Sequence, residues 1–441
     1  MSPAIITLLV LVVAIIIFVS DRLPMGLVAF MVPMALYFTG VIDAKDIFAS
    51  IVNANVILIV AMCVLGAAFF KTGLAWQSSK ILLKYAKTER SLSVLIFLIG
   101  GVMSAFVSNS GTVAVLIPIV LGIAASSQIK PIKLLMPLVF GATIGADISI
   151  IGSPGNLIAK NTIETFSKGS LSVPFFEYAK IGIPLLIACS IFLYFFGSKL
   201  IADRDGNTQS DSQMDYSQIP AWHRNLTLAV FILSIAGMVA TDYIKFLPPM
   251  HIIACCAAIV LVFAGVLTQK ETFNSFETLT VFMLAFMMPL GAALNSTGAG
   301  EMIANAVISV TGDSGVMIIM ASLWILTWAL TQVMSNTAAC TLLCPVGWTI
   351  AQSIGADPRA VVIAVFIASS VAVCTPMAIP ANSMIIGPGN VKFKDFLKPG
   401  LAISLVCFIV SMLLLPIFYP FYLCLILLFY FRLLNLRLYY E

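Results

Sequence analysis

Val107 to Pro118 reads VSNSGTVAVLIP, so Ser108, Asn109 and Ser110 place two hydroxyls and an amide inside an otherwise apolar stretch. Such groups donate and accept hydrogen bonds without carrying charge. Buried in hydrocarbon they are costly unless satisfied, so a cluster of them suits a site that replaces the hydration of a small ion. The donors suit carboxylate or sulfate oxygens, and the oxygens suit a dehydrated sodium ion. The same pattern returns as Ser335, Asn336 and Thr337, where 335 − 108 = 227. That shift also carries Ser104 onto Thr331 and Pro118 onto Pro345. A second motif pair follows at a shift of 226: SPGN from Ser153 to Asn156 falls on IPAN from Ile379 to Asn382, and Ser149 falls on Thr375. Two polar motifs recurring in order at one offset indicate an internal duplication.

The elements that position these motifs are membrane helices. The 441 residues are 61% hydrophobic and 10% charged, with a mean hydropathy of +1.09. A soluble domain carries roughly a quarter charged residues, so the chain reads as an all-α polytopic membrane protein with no soluble catalytic domain. The first apolar run follows MSPA, which has no basic residue, and leads into a second run. It reads as a membrane helix rather than a signal peptide.

The first repeat is expected over residues 1–202. It comprises scaffold spans at 4–19, 24–39 and 52–70, a basic interfacial helix at 75–90, a re-entrant hairpin at 92–126, a broken span at 134–165 and an intact span at 175–200. A polar cytoplasmic linker covers 203–224. The second repeat, 225–420, has scaffold spans at 225–240, 251–268 and 279–294, a polar helix near 297–311, a hairpin at 315–352, a broken span at 359–390 and a span at 398–418. The tail, 421–441, is too short to span reliably and suits the interface.

The segment before the first hairpin is basic and its equivalent before the second is not, and Lys and Arg accumulate on the cytoplasmic side. The repeats are therefore expected to be inverted, with about ten spans and two hairpins. With the tail's Arg432 and Arg437 set aside, fifteen basic residues then fall inside and six outside. Half-helix ends meeting near the midplane would present N-termini to anions and carbonyls to cations. No Lys or Arg lies within the polar motifs of the hairpins and broken spans. The anion's charge would therefore be balanced by helix ends and bound cations, and the two would bind interdependently.

These motifs resemble those of the divalent anion/sodium symporter family, the INDY-type dicarboxylate transporters. Its hallmark is a pair of Ser-Asn-Thr motifs at hairpin tips, matched here by SNS and SNT, with IGSPGN and AIPAN similar to its two breakers and VKFKDFLKPG similar to the start of its last helix. The resemblance covers about residues 50 to 415. It implies a homodimer in a bacterial cytoplasmic membrane, in which a transport domain moves as an elevator against a scaffold. It implies substrate contacts from Ser108, Asn109, Ser110, Ser153, Pro154, Ser335, Asn336, Thr337, Ile379 and Pro380. One sodium ion would sit near Ser104, Ser108, Asn109 and Gly152, and another near Thr331, the Met334 backbone, Asn336 and the Ala378 backbone.

Three residues depart from the family pattern. Ser110 replaces a Thr and keeps the hydroxyl. Ile379 stands where a Thr hydroxyl is usual, which removes a substrate hydrogen bond. Asp147 places a carboxyl in the first broken span, to be read as a proton site or as a solvated or packed acid at the cavity edge.

Other residues say less. The nine cysteines lack metal-ligand or paired spacing and read as small buried hydrophobes. His223 and His251 fall at the interface. No H-E-x-x-H, intramembrane Asp pair or Ser-His pair supports an enzyme, and a net charge of +4 is too small to imply nucleic acid. The sequence thus predicts a sodium-coupled symporter of small divalent anions such as succinate or malate, with bound sodium and no organic cofactor. The rival reading is a sodium-independent or proton-coupled transporter of the same fold, for sulfate or another inorganic anion.

Overall fold

The computed structural model describes residues 1–441 except 21, 22, 24, 75–87, 205–218, 242, 245, 277, 300, 301, 303–314, 333, 334, 377 and 422–441. The expected interfacial helix, most of the linker, most of the polar helix near 297–311 and the tail lie outside the described residues.

The described chain is helical, with no strand among the described residues. Three helices open the first half: α1 (Pro3–Ser20), α2 (Met25–Phe38) and α3 (Ala54–Lys71). They are followed by α4 (Glu89–Ser104) and α5 (Asn109–Ser127), then α6 (Pro131–Gly145), α7 (Pro154–Phe166) and α8 (Ala179–Phe192). The second half runs in the same order. It has α9 (Ala221–Ala240), α10 (Met250–Phe263), α11 (Thr278–Ser296), α12 (Val316–Thr331), α13 (Asn336–Ser353), α14 (Pro358–Ser370), the short α15 (Pro380–Met384) and the long α16 (Phe393–Phe418).

The helices of α6, α8, α9 and α16, with their direct continuations, and of α5 are long and apolar enough to cross a membrane, and shorter apolar helices accompany them. The chain is a polytopic membrane protein. The expected linker ends early, because Pro220 caps α9 and residues 221–224 are already helical. A short helix at Gln269–Asn274 was not foreseen; its capping box pairs Thr268 with Glu271.

Packing exchanges equivalent elements between the halves. α4 lies along α6 as α12 lies along α14, and α8 pairs with its equivalent α16. α2 packs on α11 and α3 on α10, while α15 meets α5 and α7 meets α13. Each half's broken helix therefore completes itself against the other half's hairpin. The centre is built on α6, buried along its whole length, and on α14, buried from Ala360 to Ser370.

The two halves close this core differently. Gly141 and Gly145 form a small-xxx-small pair on α6, and a Cβ on either would overlap α4 backbone at Phe97 or Gly101. Helix backbones approach this closely only over glycine. The second half has Ile367 and Val371 at the equivalent positions, and Gln332 fills the wider gap. Its amide nitrogen, Nε2, donates to Trp328 O and Val371 O at 3.0 Å each, while Oε1 accepts from Cys374 N at 3.0 Å.

Several ion pairs among the described residues tie helix ends and loops together. Lys71 pairs with Glu271, Lys130 with Asp203 and Arg204 with Asp395; Lys160 pairs with Glu164, Lys180 with Glu177 and Arg359 with Asp357. Lys71 Nζ at 2.7 Å and the Thr268 amide hold the Glu271 carboxyl down at about 2.

Candidate functional site

Each hairpin tip is a helix N-cap. Ser108 caps α5, its Oγ accepting from Gly111 N at 3.3 Å, and Ser335 caps α13, its Oγ accepting from Ala338 N at 3.1 Å. These bonds satisfy one first-turn amide each and leave others of that turn facing outward, as at any helix start. Ser153 and Ile379 occupy the equivalent cap positions of α7 and α15, each followed by proline at N1. Their backbones match closely, at φ −142°, ψ 148° and φ −140°, ψ 150°. The halves differ there by a side chain, hydroxyl against sec-butyl.

The breaker asparagines hold the interruptions open. Asn156 Nδ2 donates to Ala146 O at 2.8 Å and Ser149 O at 2.5 Å; Asn382 Nδ2 donates to Ala372 O at 2.8 Å and Thr375 O at 2.7 Å. Each amide satisfies carbonyls that the broken helix cannot pair, which unpaired backbone inside a membrane requires. Their Oδ1 atoms are buried without a partner. The hydroxyls of Ser149 and Thr375 tie each break to the preceding hairpin, through Ala105 O and Gln332 O. Gly152 is forced, because a Cβ there would overlap the Ala146 carbonyl.

Two oxygen clusters lie beside the tips. Ser104 Oγ is 2.8 Å from Asn109 Oδ1. Thr331 Oγ1 is 2.9 Å from Asn336 Oδ1 and 2.8 Å from Ser369 O. A hydroxyl has one proton to give, so one of these two acceptors receives none from Thr331. Oxygens crowded this way suit a small cation.

A cavity of about 430 Å³ joins the motifs. Ser108, Asn109, Ser110, Ser153, Pro154, Ser335, Asn336, Thr337, Ile379 and Pro380 line it, together with Gly152 and Ala378. All ten residues expected to contact substrate are thus brought to one space. Of the cation-niche residues, Ser104 and Thr331 are buried behind it, and Met334 lies outside the described residues. None of the described lining residues is charged.

Asp147 is not among the lining residues; it is 1% exposed in the turn Ala146–Ile148. Asp147 is thus a packed acid set back from the described cavity lining.

The sequence reading missed Phe276 and Thr278, which line the cavity from the chain leading into α11. The shift of 226 to 227 would set Ser50 and Ile51 opposite them, and neither lines the cavity. The cavity is therefore lined unequally by the two halves. A cleft of about 190 Å³ shares Ser108, Gly152, Ser153 and Pro154 with it and runs along an α3 stripe of Ile59, Cys63, Gly66 and Phe70. No motif marks Phe276 or Thr278; the 3.6-residue spacing of the α3 stripe was the one signal available.

A cavity with no charged side chain among its described lining, at the meeting of two hairpin tips and two helix breaks within a polytopic helical bundle, fits a membrane transporter rather than an enzyme. The chain belongs to the citrate transporter family, whose model matches residues 15–250 and 244–438. Among similar proteins, the sodium-dependent high-affinity dicarboxylate transporter 3 of Caenorhabditis elegans is 22% identical over 89% of this chain and 79% of its own. The transporter YfbS of Escherichia coli is 20% identical over 93% and 98%, and a Haemophilus influenzae transporter 23% over 90% and 87%. The fold is shared with the Alcanivorax borkumensis YdaH transporter, at TM-score 0.64, 16% identity and coverage of 87% and 88%. It is also shared with Neisseria gonorrhoeae MtrF, described as one of a class of antimetabolite efflux pumps, at 0.62, 14% and 95% of both chains.

Proposed function

We propose that the protein is a secondary active transporter that carries small divalent anions, di- or tricarboxylates such as succinate and malate, together with sodium ions. The observation that carries this reading is the convergence of Ser108 to Ser110, Ser335 to Thr337 and both breakers on one cavity whose described lining holds no charged side chain. The first-turn amides of α5 and α13 then supply positive potential to the anion. Sodium held at Ser104, Ser108, Asn109 and Gly152, and at Thr331, Met334, Asn336 and Ala378, supplies the remaining charge. Anion and cation each lower the cost of burying the other, which makes their binding mutually dependent.

In this reading the halves are inverted repeats, 1–202 and 225–420, and the protein is a homodimer in a bacterial cytoplasmic membrane. α4 to α8 and α12 to α16 move as one body along the scaffold. The C. elegans relative's sodium-dependent dicarboxylate transport supports the choice of ions.

The test is uptake of labelled succinate into proteoliposomes under an inward sodium gradient, with malate, citrate and sulfate in parallel. Sodium-stimulated, saturable uptake of one of these is the expected result. No stimulation across the panel rejects the symport reading.

A further inference from the structure

Asp147 is the most anomalous buried group in the described structure. Its side chain is 1% exposed, and neither carboxyl oxygen has a hydrogen-bond partner. The turn that carries it is pressed against α8, where a Cβ on Gly182 would overlap the Asp147 carbonyl. The Ser370 hydroxyl, at the end of α14 in the other half, is close enough to interact with the carboxyl but lies outside hydrogen-bonding geometry and is itself unpartnered. An ionised carboxylate here would have no counter-ion and only the Ser370 hydroxyl within reach, at a cost of about several kcal/mol.

Among the described residues, no cation faces it from the packed elements. α8 contributes Cys189 and α16 contributes Cys407, whose sulfurs are 3.6 Å apart, and the second break contributes Cys374. Tyr178 gives its hydroxyl to Asn156 O. Lys180, at the start of α8, is held by Glu177 at 2.6 Å. Lys133 lies at the far end of α6, about 20 Å along the helix axis, donating to Ile201 O at 2.9 Å. Arg359, at the far end of α14, is held by Asp357, and Glu89 and Arg90 open α4 at the end remote from Gly101.

We propose that Asp147 is a proton-binding site that seals the contact between the two broken helices, distinct from the anion cavity and from the sodium niches. The neutral carboxyl is the form this packing accommodates. One carboxyl oxygen holds the proton beside Ser370 at the end of α14, where the first break meets the second. The halves differ here by design of the sequence: the equivalent position, 373 − 147 = 226, is Val373, so the duplicated site carries a single ionisable group. Because the carboxyl is away from the cavity, the proton acts through helix position and not through contact with the anion.

The test uses the full-length protein with Asp147→Asn and, as a second variant, Asp147→Val, which copies the residue found at position 373. The first readout is melting temperature in detergent, which needs no transport. If the wild type must keep a proton to fold, both variants melt about 2 °C or more above it near pH 8.5, and the gap narrows steadily as pH falls toward about 4, the unfolded value of an Asp carboxyl. Variants that melt below the wild type near pH 8.5 overturn the proposal, since the carboxylate would then be ionised and stabilising. The second readout is the pH dependence of anion uptake in proteoliposomes, expected to be several-fold in the wild type and flat in the variants. A wild-type pH profile in either variant also overturns it. Failure of sodium-driven uptake would reject the proposed function while leaving the melting comparison intact.

Discussion

The Thr331 hydroxyl sits 2.9 Å from Asn336 Oδ1, and across the molecule the Ser104 hydroxyl sits 2.8 Å from Asn109 Oδ1. The residues of each pair are five apart, joining the end of one hairpin arm to the start of the next. If these oxygens ligate sodium, Thr331→Val and Ser104→Ala each remove one ligand while keeping the fold. The expected result is a rise in half-saturating sodium of about tenfold per variant, the equivalent of about 1.4 kcal/mol. Sodium titration of initial uptake rates measures it; unchanged sodium dependence in both variants would remove the niches from the mechanism.

Ile379 and Ser153 share backbone geometry and differ in chemistry. Ile379→Thr places a hydroxyl at the donor-poor wall of the cavity. It is expected to lower the KM for succinate by about tenfold, the worth of about one hydrogen bond to a charged group. Ser153→Val should raise it by a similar factor. A succinate KM insensitive to both changes would show that these caps do not face the anion.

Asn382→Leu deletes the amide that holds Ala372 O and Thr375 O, leaving two buried carbonyls without donors at about 1–3 kcal/mol each. Asn156→Leu does the same at Ala146 and Ser149. Both variants are expected to melt several degrees lower and to lose uptake. Normal melting with normal uptake would mean that the breaks are held by other means.

Gly145→Leu should be more severe, because its side chain would enter the Gly101 backbone with no flexible neighbour to yield. Loss of monodisperse protein on gel filtration is the expected outcome. Leucine at Gly122, around which space is open, is the control and should leave the elution profile unchanged.

The Lys71 and Glu271 pair has a defined pH window. A carboxyl held down at about 2 in the folded protein contributes stability that is present above its unfolded value of about 4.3 and is lost as pH falls toward about 2. Both side chains are partly exposed, so the contribution is small. Glu271→Gln should therefore change the melting temperature by the same small amount at every pH from about 5.5 to 8.5. A gap that varies across that range would contradict the pairing.

Most helices were legible because membrane spans are written as uninterrupted apolar runs, and hairpin tips as polar residues within them. The breaks at 146–153 and 371–379 were legible through proline, glycine and the repeated asparagine. The helix at Gln269–Asn274 was missed because a capping box within a short polar stretch does not stand out from a loop. Phe276 and Thr278 were missed because their role depends on which face of the bundle is open, and no local pattern records that.

The order of elements, the duplication at 226 to 227 residues and the identities of the ten motif residues follow from the chain alone, since hydrocarbon forces unpaired backbone to be announced by polar side chains and helix breakers. Folding in three dimensions added the exchange of broken helices between halves, the cavity's unequal lining and the burial of Asp147 away from that cavity. Those depend on long-range packing, where Gly145 admits a backbone and Gln332 fills a gap. Such choices are made between residues far apart in sequence.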